Sequence, residues 1–330
     1  MTVMDIDLVI PWVDGGDPAW LKEKEQYSGK CIGDKRANRF RDWDNMQYLF
    51  RGIEKNLPWI RKIHFVTWGH LPPWLNTSNP KLHIVRHEDY IPKECLPTFN
   101  SIAIEMNMHR IPGLADHFIF ANDDTFFIRP IKEEEFFKDG LPCDCPLERV
   151  HVFKKGGIDH IVANDLEILN DHFSKTETIH KYRKKWFSLR YKKYILKNIY
   201  MLPVKQFPGF VNPHLPNAFL KSTFEEVWEK EKDLMEQTIS HKFRNNADVN
   251  QWLMRYWQFA KGDFYPGNVL FGKCYSIGPH DSQIADAIKN GSYKILCLSD
   301  DSVDLEFEKE KEFIKTQLDS ILPEKSSYEL

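Results

Sequence analysis

Between residues 6 and 128 the chain alternates short apolar runs with stretches of helical spacing, and this alternation limits the fold more than any other feature. "IDLVIPWV" (6–13), "KIHFVTW" (62–68), "LHIVRH" (82–87) and "FIFAN" (118–122) are rich in β-branched and aromatic residues and read as strands. A helix is expected to start near Pro18. "DNMQYLFRGIEKNL" (44–57) sets Met46, Leu49, Phe50 and Ile53 at helical spacing and stops before Pro58, and "FNSIAIEMNMHR" (99–110) reads as another helix. Strands separated by helices imply βαβ units, so an α/β fold with a mostly parallel sheet is expected.

In such folds ligands gather at the carboxyl ends of the strands. Two acidic loops fall there, "DGGDP" (14–18) and Asn122-Asp123-Asp124. Adjacent carboxylates repel each other unless a cation or strong hydrogen bonds hold them. Mg2+ or Mn2+ takes aspartate oxygens and commonly joins protein to diphosphate. On the residues alone, a polar turn whose aspartates cap backbone N–H groups explains them equally well.

After residue 145 the pattern becomes largely helical, with helices expected near 163–173, 176–200, 223–240 and 247–261, and a last strand, "YKILCL" (293–298), runs into "SDD". No repeat or linker divides the chain. A single domain over 1–330 is therefore expected, with an α/β part (1–145), a helical part (146–290) and a closing strand and charged helix (291–330). Lys+Arg 45 against Asp+Glu 48 gives a net charge of −3, which argues against nucleic-acid binding. The N-terminus lacks a basic region and a small-residue cleavage site, no apolar run approaches about 18 residues, and the six cysteines are scattered. These features point to reduced thiols and the cytoplasm, and Cys143-Asp144-Cys145 lacks the second ligand pair of a zinc site. "KTETIHKYRKKWFSLRYKKYILKN" (175–198) carries nine Lys/Arg and one Glu among aromatics. That suits peripheral contact with the inner face of an anionic membrane or with a phosphate-bearing polymer, and equally a solvated basic face over an apolar stripe.

Several stretches together resemble the four sequence blocks of the Stealth family of sugar-phosphate transferases, which includes bacterial capsule polymerases and the animal N-acetylglucosamine-1-phosphotransferase. "DIDLVIPWVDGGDP" (5–18) resembles the first block. "FRDWDNMQYLFRGIEKNLPWIRKIHFVTWGHLPPWLN" (40–76) and "LPTFNSIAIEMNMHRIPGLADHFIFANDDTFF" (96–127) resemble the second. "NPHLPNAF" (212–219) with "FRNNADVNQWLMRYW" (243–257) resembles the third, and "LCLSDD" (296–301) the fourth, with Ser299 where the family has Asn.

The resemblance implies a nucleotide-sugar (GT-A-like) core and a definite reaction. Sugar-1-phosphate passes from a nucleotide diphosphosugar, a UDP-hexose or UDP-N-acetylhexosamine, to a glycan hydroxyl in surface polysaccharide synthesis, and UMP leaves. Asp123, Asp124 and Asp300 are then expected to hold Mg2+ or Mn2+. Trp12, Asp14, Gly15, Gly16, Asp17, Arg39 and Asn122 would shape the donor site, and Arg39, Arg41 and Arg244 would neutralise phosphate charge. His214 is expected as general base, and Asp248 would orient a catalytic group or meet the acceptor. A conventional metal-dependent glycosyltransferase releasing UDP, and a non-catalytic carbohydrate-binding protein, are the competing readings.

Overall fold

Ile6, Leu8, Val9 and Ile10 each expose at most 1% of their surface, because the strand they form (β1, Ile6–Pro11) lies in the middle of a sheet covered on both faces. The computed structural model describes residues 4–29, 43–153, 157–300 and 306–330. β1 pairs in parallel with β2 (Lys62–Thr67) and β4 (His117–Phe120), and β2 with β3 (Leu82–Arg86). β8 (Asn217–Leu220) closes the sheet antiparallel to β4, giving the order β3-β2-β1-β4-β8.

The period of two along these strands sorts the core into layers. Leu8, Ile10, Ile63 and Phe65 pack on one face with Leu49, Phe50 and Ile53 of α2 (Met46–Asn56), the helix that follows α1 (Pro18–Ser28). Val9, Val66, Phe118 and Phe120 pack on the other face with Ile102 and Met106 of α3 (Ser101–Met106). Asp7 is the one charge in the buried middle of β1. Burial opposes its ionisation, but His64 and Arg61, bonded to the carboxylate at 2.9 and 2.6 Å, and the Ala115 N–H hold it below its ordinary range.

The chain leaves this sheet at Phe120 and enters a second one at β5 (Thr125–Phe127). Between β5 and the helical half come the short β6 (Phe137–Lys138) and β7 (Leu141–Asp144); β7 also pairs with β9 (Tyr265–Pro266). β10 (Gly272–Ser276) runs parallel to β11 (Ile295–Ser299), and β11 antiparallel to β5. The helical half holds α4 (Asp159–His172), α5 (Lys175–Trp186), α6 (Ile195–Met201), α7 (Lys221–Lys230), α8 (Lys232–Ser240) and α9 (Gln251–Lys261), with α10 (Asp281–Asn290) and α11 (Phe307–Asp319) toward the end. α9 ties the halves together: Leu253, Met254 and Trp257 join the sheet core, while Tyr256 and Phe259 pack against α4 and α5.

The expected α/β class and helical second half are borne out. The helix expected over 176–200 is not continuous. It kinks at Tyr182 (φ −111°, ψ 25°), whose ring fills the space beside Gly262, and ends at Trp186; the chain restarts where the Ser188 side chain accepts the Arg190 N–H. The helix expected over 223–240 is two, broken at Glu231. Among the described residues no helix is long and apolar enough to cross a membrane.

Candidate active site

The carboxyl ends of β1, β4 and β11 open onto one cleft of about 480 Å3, lined by Trp12, Asp14 and Gly15 from the first loop, Asp123 and Asp124 from the second, and Asp300 after β11. Trp43 to Gln47 and Leu71 to Trp74 complete its wall, and His214 enters from the loop before β8. The two sheets bring these groups together. β5 begins one residue after Asp124 and pairs with β11, and the Leu298 N–H donates to the Asp124 carbonyl at 2.9 Å, which seats Asp300 beside the Asp-Asp pair.

Asp123 is exposed by surface area, yet it is recessed in the cleft wall. Loss of hydration and the adjacent Asp124 charge push its carboxyl up to about 7. His214 stands 3.3 Å from Asp124 through Nε2 and 3.1 Å from the Asn122 side-chain amide, with 47% of its side chain exposed. Burial disfavours the imidazolium, but the Asp124 carboxylate overrides it and raises the imidazole to about 9. Asp124, His214 and the buried Cys297 bring one ligand atom each to within 4.8 Å of one another. Cys274 across the strand pair, burial and Asp124 together raise the Cys297 thiol well above its ordinary range.

The first loop divides its labour. Asp14 folds the turn by accepting the Gly16 N–H at 2.8 Å, and its own N–H donates to His70 Nε2 at 2.7 Å. Burial lowers the His70 imidazole, which suits an acceptor nitrogen. Asp17 caps α1, accepting the Trp20 N–H at 2.8 Å. Gly16 and Asp17 therefore hold the turn, while Trp12, Asp14 and Gly15 face the cleft. Trp12 is braced by stacking on Phe65 and by the edge of His70.

Arg244 and Asp248 do not line the cleft. Asp248 is fully buried and bonded to His241 Nδ1 (2.6 Å), the Asn100 amide (3.0 Å) and the Asn245 N–H (2.8 Å), so it ties the loop after Arg244 to the start of α3. Arg244 donates to the Ser101 hydroxyl at 3.0 Å. Arg244 and Ser101 both act on Glu105, a buried carboxyl raised to about 7 by desolvation against the pull of Arg244, His214 and Ser101. Glu105, His70 and Cys297 were hidden from sequence reasoning, since each sits within or beside an apolar run that reads as core. Arg39 and Arg41 lie outside the described residues.

The chain matches the family models for Stealth protein conserved region 1 over residues 4–30 and conserved region 2 over residues 39–143. It is 41% identical over 328 residues to a capsular polysaccharide phosphotransferase, WcwK, of Streptococcus pneumoniae, covering 98% of each chain. It is 37% identical to the receptor polysaccharide phosphotransferase WefC of Streptococcus gordonii, covering 99% of this chain and 100% of that one. It is 36% identical to the exopolysaccharide phosphotransferase cps2G of Lactiplantibacillus plantarum, covering 98% and 96%. Among solved structures, the galactosyltransferase LgtC with donor and acceptor sugar analogs superposes with a TM-score of 0.39 at 10% identity, covering 94% and 95%.

Proposed function

This chain belongs to the Stealth family, and on that premise we propose that it transfers sugar-1-phosphate from a UDP-hexose or UDP-N-acetylhexosamine to a glycan hydroxyl, forming a phosphodiester and releasing UMP. The protein is a phosphotransferase of surface-polysaccharide synthesis, like the relatives it matches end to end. The observation that carries the finer reading is the convergence of Asp123, Asp124, Asp300 and His214 on one cleft.

The donor set fits a divalent cation. Two adjacent carboxylates, whose mutual repulsion raises the Asp123 carboxyl, fit a hard cation that takes oxygen ligands. Asp123, Asp124 and Asp300 would hold Mg2+ or Mn2+, which supplies charge stabilisation to the diphosphate. A cation held by Asp124 would offset part of the carboxylate charge that favours the imidazolium, and His214 would then be better able to accept the proton of the attacking hydroxyl. Asn122 aims that imidazole. Trp12 and Gly15 border the donor, and Asp14 keeps their turn closed. Arg39 and Arg41 are assigned to the phosphates on the family resemblance alone. Arg244 sets the charge around Glu105 on the far side of His214. The basic segment 175–198 is assigned to peripheral contact with the inner face of a membrane.

The test is the nucleotide released from UDP-sugars with Mg2+ or Mn2+ and candidate glycan acceptors, with Asp123→Ala as control. UMP, lost in the variant, places the attack on the β-phosphorus. UDP would overturn the reading in favour of ordinary glycosyl transfer.

A further inference from the structure

We propose that the protein docks on an anionic lipid bilayer through the face built by residues 189–204, with aliphatic side chains as the anchor and lysines as its rim. This deepens the membrane placement above and rests on it. That placement drew on charge over the whole of 175–198, and the structure splits this segment in two. In α5, Ile179 and Trp186 turn inward and Lys175 pairs with Glu148 at 2.8 Å, both buried. This half is an ordinary helix with a solvated basic face.

From Leu189 onward the polarity inverts. Leu189 is 89% exposed, Tyr200 75%, and Leu196, Ile199, Leu202 and Val204 between 40% and 51%. What the segment buries is polar or pinned: Asn198 accepts the Glu148 N–H at 2.9 Å and donates to the Trp186 carbonyl at 2.9 Å, and the Tyr191 hydroxyl donates to the Lys185 carbonyl at 2.7 Å. These bonds fix the backbone with the apolar side chains outward. Glu148, bonded to Asn198, leads into Val150, Val152 and Phe153, which are 55%, 72% and 56% exposed. Nine of the fourteen large apolar residues exposed among the described residues lie in these two stretches, so the patch is concentrated rather than scattered.

Its chemistry selects the partner. Arg190, Lys192, Lys193, Lys197 and Lys205 are interleaved with the apolar residues, and no Asp or Glu occurs from 189 to 205. A second copy of this chain would set those like charges against each other, and interface cores are depleted in lysine. A polyanionic glycan would satisfy the lysines but gives Leu and Ile nothing to bury against. An anionic bilayer satisfies both.

The experiment is co-sedimentation of the full chain with phosphatidylcholine vesicles with and without phosphatidylglycerol. It compares the wild type, an apolar variant (Leu189→Ser, Leu196→Ser, Ile199→Ser, Leu202→Ser) and a charge variant (Lys192→Gln, Lys193→Gln, Lys197→Gln). The expected result is binding that requires phosphatidylglycerol, falls about tenfold or more in the apolar variant, and falls about fivefold per charge removed. Unchanged nucleotide release with a soluble acceptor certifies that both variants fold. Binding by the wild type and the apolar variant alike would overturn the anchor and leave the charge-based placement standing. Absence of wild-type binding would overturn both, and binding to a soluble anionic polysaccharide but not to vesicles would make the face a polymer site.

Discussion

Replacing Glu105 with glutamine should make the protein more stable and less active, with a pH signature that isolates this one group. Its carboxyl lies buried on α3 and is raised from 4.5 to about 7, chiefly by desolvation. A folded-state value above the unfolded one means that the folded protein keeps a proton the unfolded chain releases. The group therefore does no harm below pH 4.5, and its cost grows as pH rises to about 7 and then levels off. A difference of about 2.5 pH units at 1.36 kcal/mol each gives about 3 kcal/mol at the plateau. Glutamine keeps the shape and cannot ionise. In urea unfolding, Glu105→Gln should exceed the wild type by under about 1 kcal/mol at pH 5 and by about 3 kcal/mol at pH 8. Sugar-phosphate transfer should fall, since glutamine removes the negative charge that acts on Arg244 and His214. A variant less stable than the wild type at both pH values, or a difference independent of pH, would refute the argument.

Gly52→Ala should cost about 1–3 kcal/mol, read as a lowered melting temperature, because a Cβ there would lie 2.6 Å from the Phe127 carbonyl oxygen and push α2 off β5. An unchanged melting temperature would mean that this contact can relax. Asp7→Asn should cost about 3 kcal/mol at pH 7 by leaving Arg61 and His64 around a neutral group. Since the Asp7 carboxyl is depressed, its stabilisation is present above 3.8 and lost as pH falls through the folded value, so the gap in urea midpoints must narrow in acid. His214→Gln should slow transfer by about 10²–10⁴-fold with donor binding retained. Because its imidazole is raised to about 9, the stabilisation from its pairing with Asp124 is complete below pH 6.5 and lost as pH rises through about 9. Melting curves of this variant should therefore approach those of the wild type in base.

What the sequence disclosed follows from how local each signal is. β1 and α2 declared themselves through several residues of clear period, and the two acidic loops through their place at strand ends. β5 and β8 passed unread because three or four residues are too few to show a period, and their pairing partners lie far along the chain. The same limit hid Glu105: its neighbours Ile102, Ala103 and Met106 are core, and only folding shows that its carboxyl faces Arg244 and His214. Asp17 carries a second signal beside its place in the acidic loop. Asp-Pro before a helix is a start signal in its own right, and Asp17 caps α1. Asp248 gives a third case: the sequence left open whether it orients a catalytic group or meets the acceptor, and the structure shows it buried and bonded within the loop that follows Arg244.

The polar run Asn122-Asp123-Asp124, set between Phe120 and Phe126, is explained by where the chain goes. Residues 121–124 carry it from one sheet to another, bonded at one end to β1 (Ala121 N–H to the Val9 carbonyl, 3.0 Å) and at the other to β11 (Leu298 N–H to the Asp124 carbonyl, 2.9 Å). Each end of the crossing is fixed by a different long-range pairing. On one side β4 holds β8, whose preceding loop carries His214; on the other β5 holds β11, whose end carries Asp300. Asp123, Asp124, Asp300 and His214 thus take their spacing from two pairings that meet at a single four-residue crossing. A cation shared by Asp123, Asp124 and Asp300 would lock the junction of the two sheets as well as neutralise it. Metal affinity and thermal stability should therefore rise and fall together in variants of any of the three aspartates.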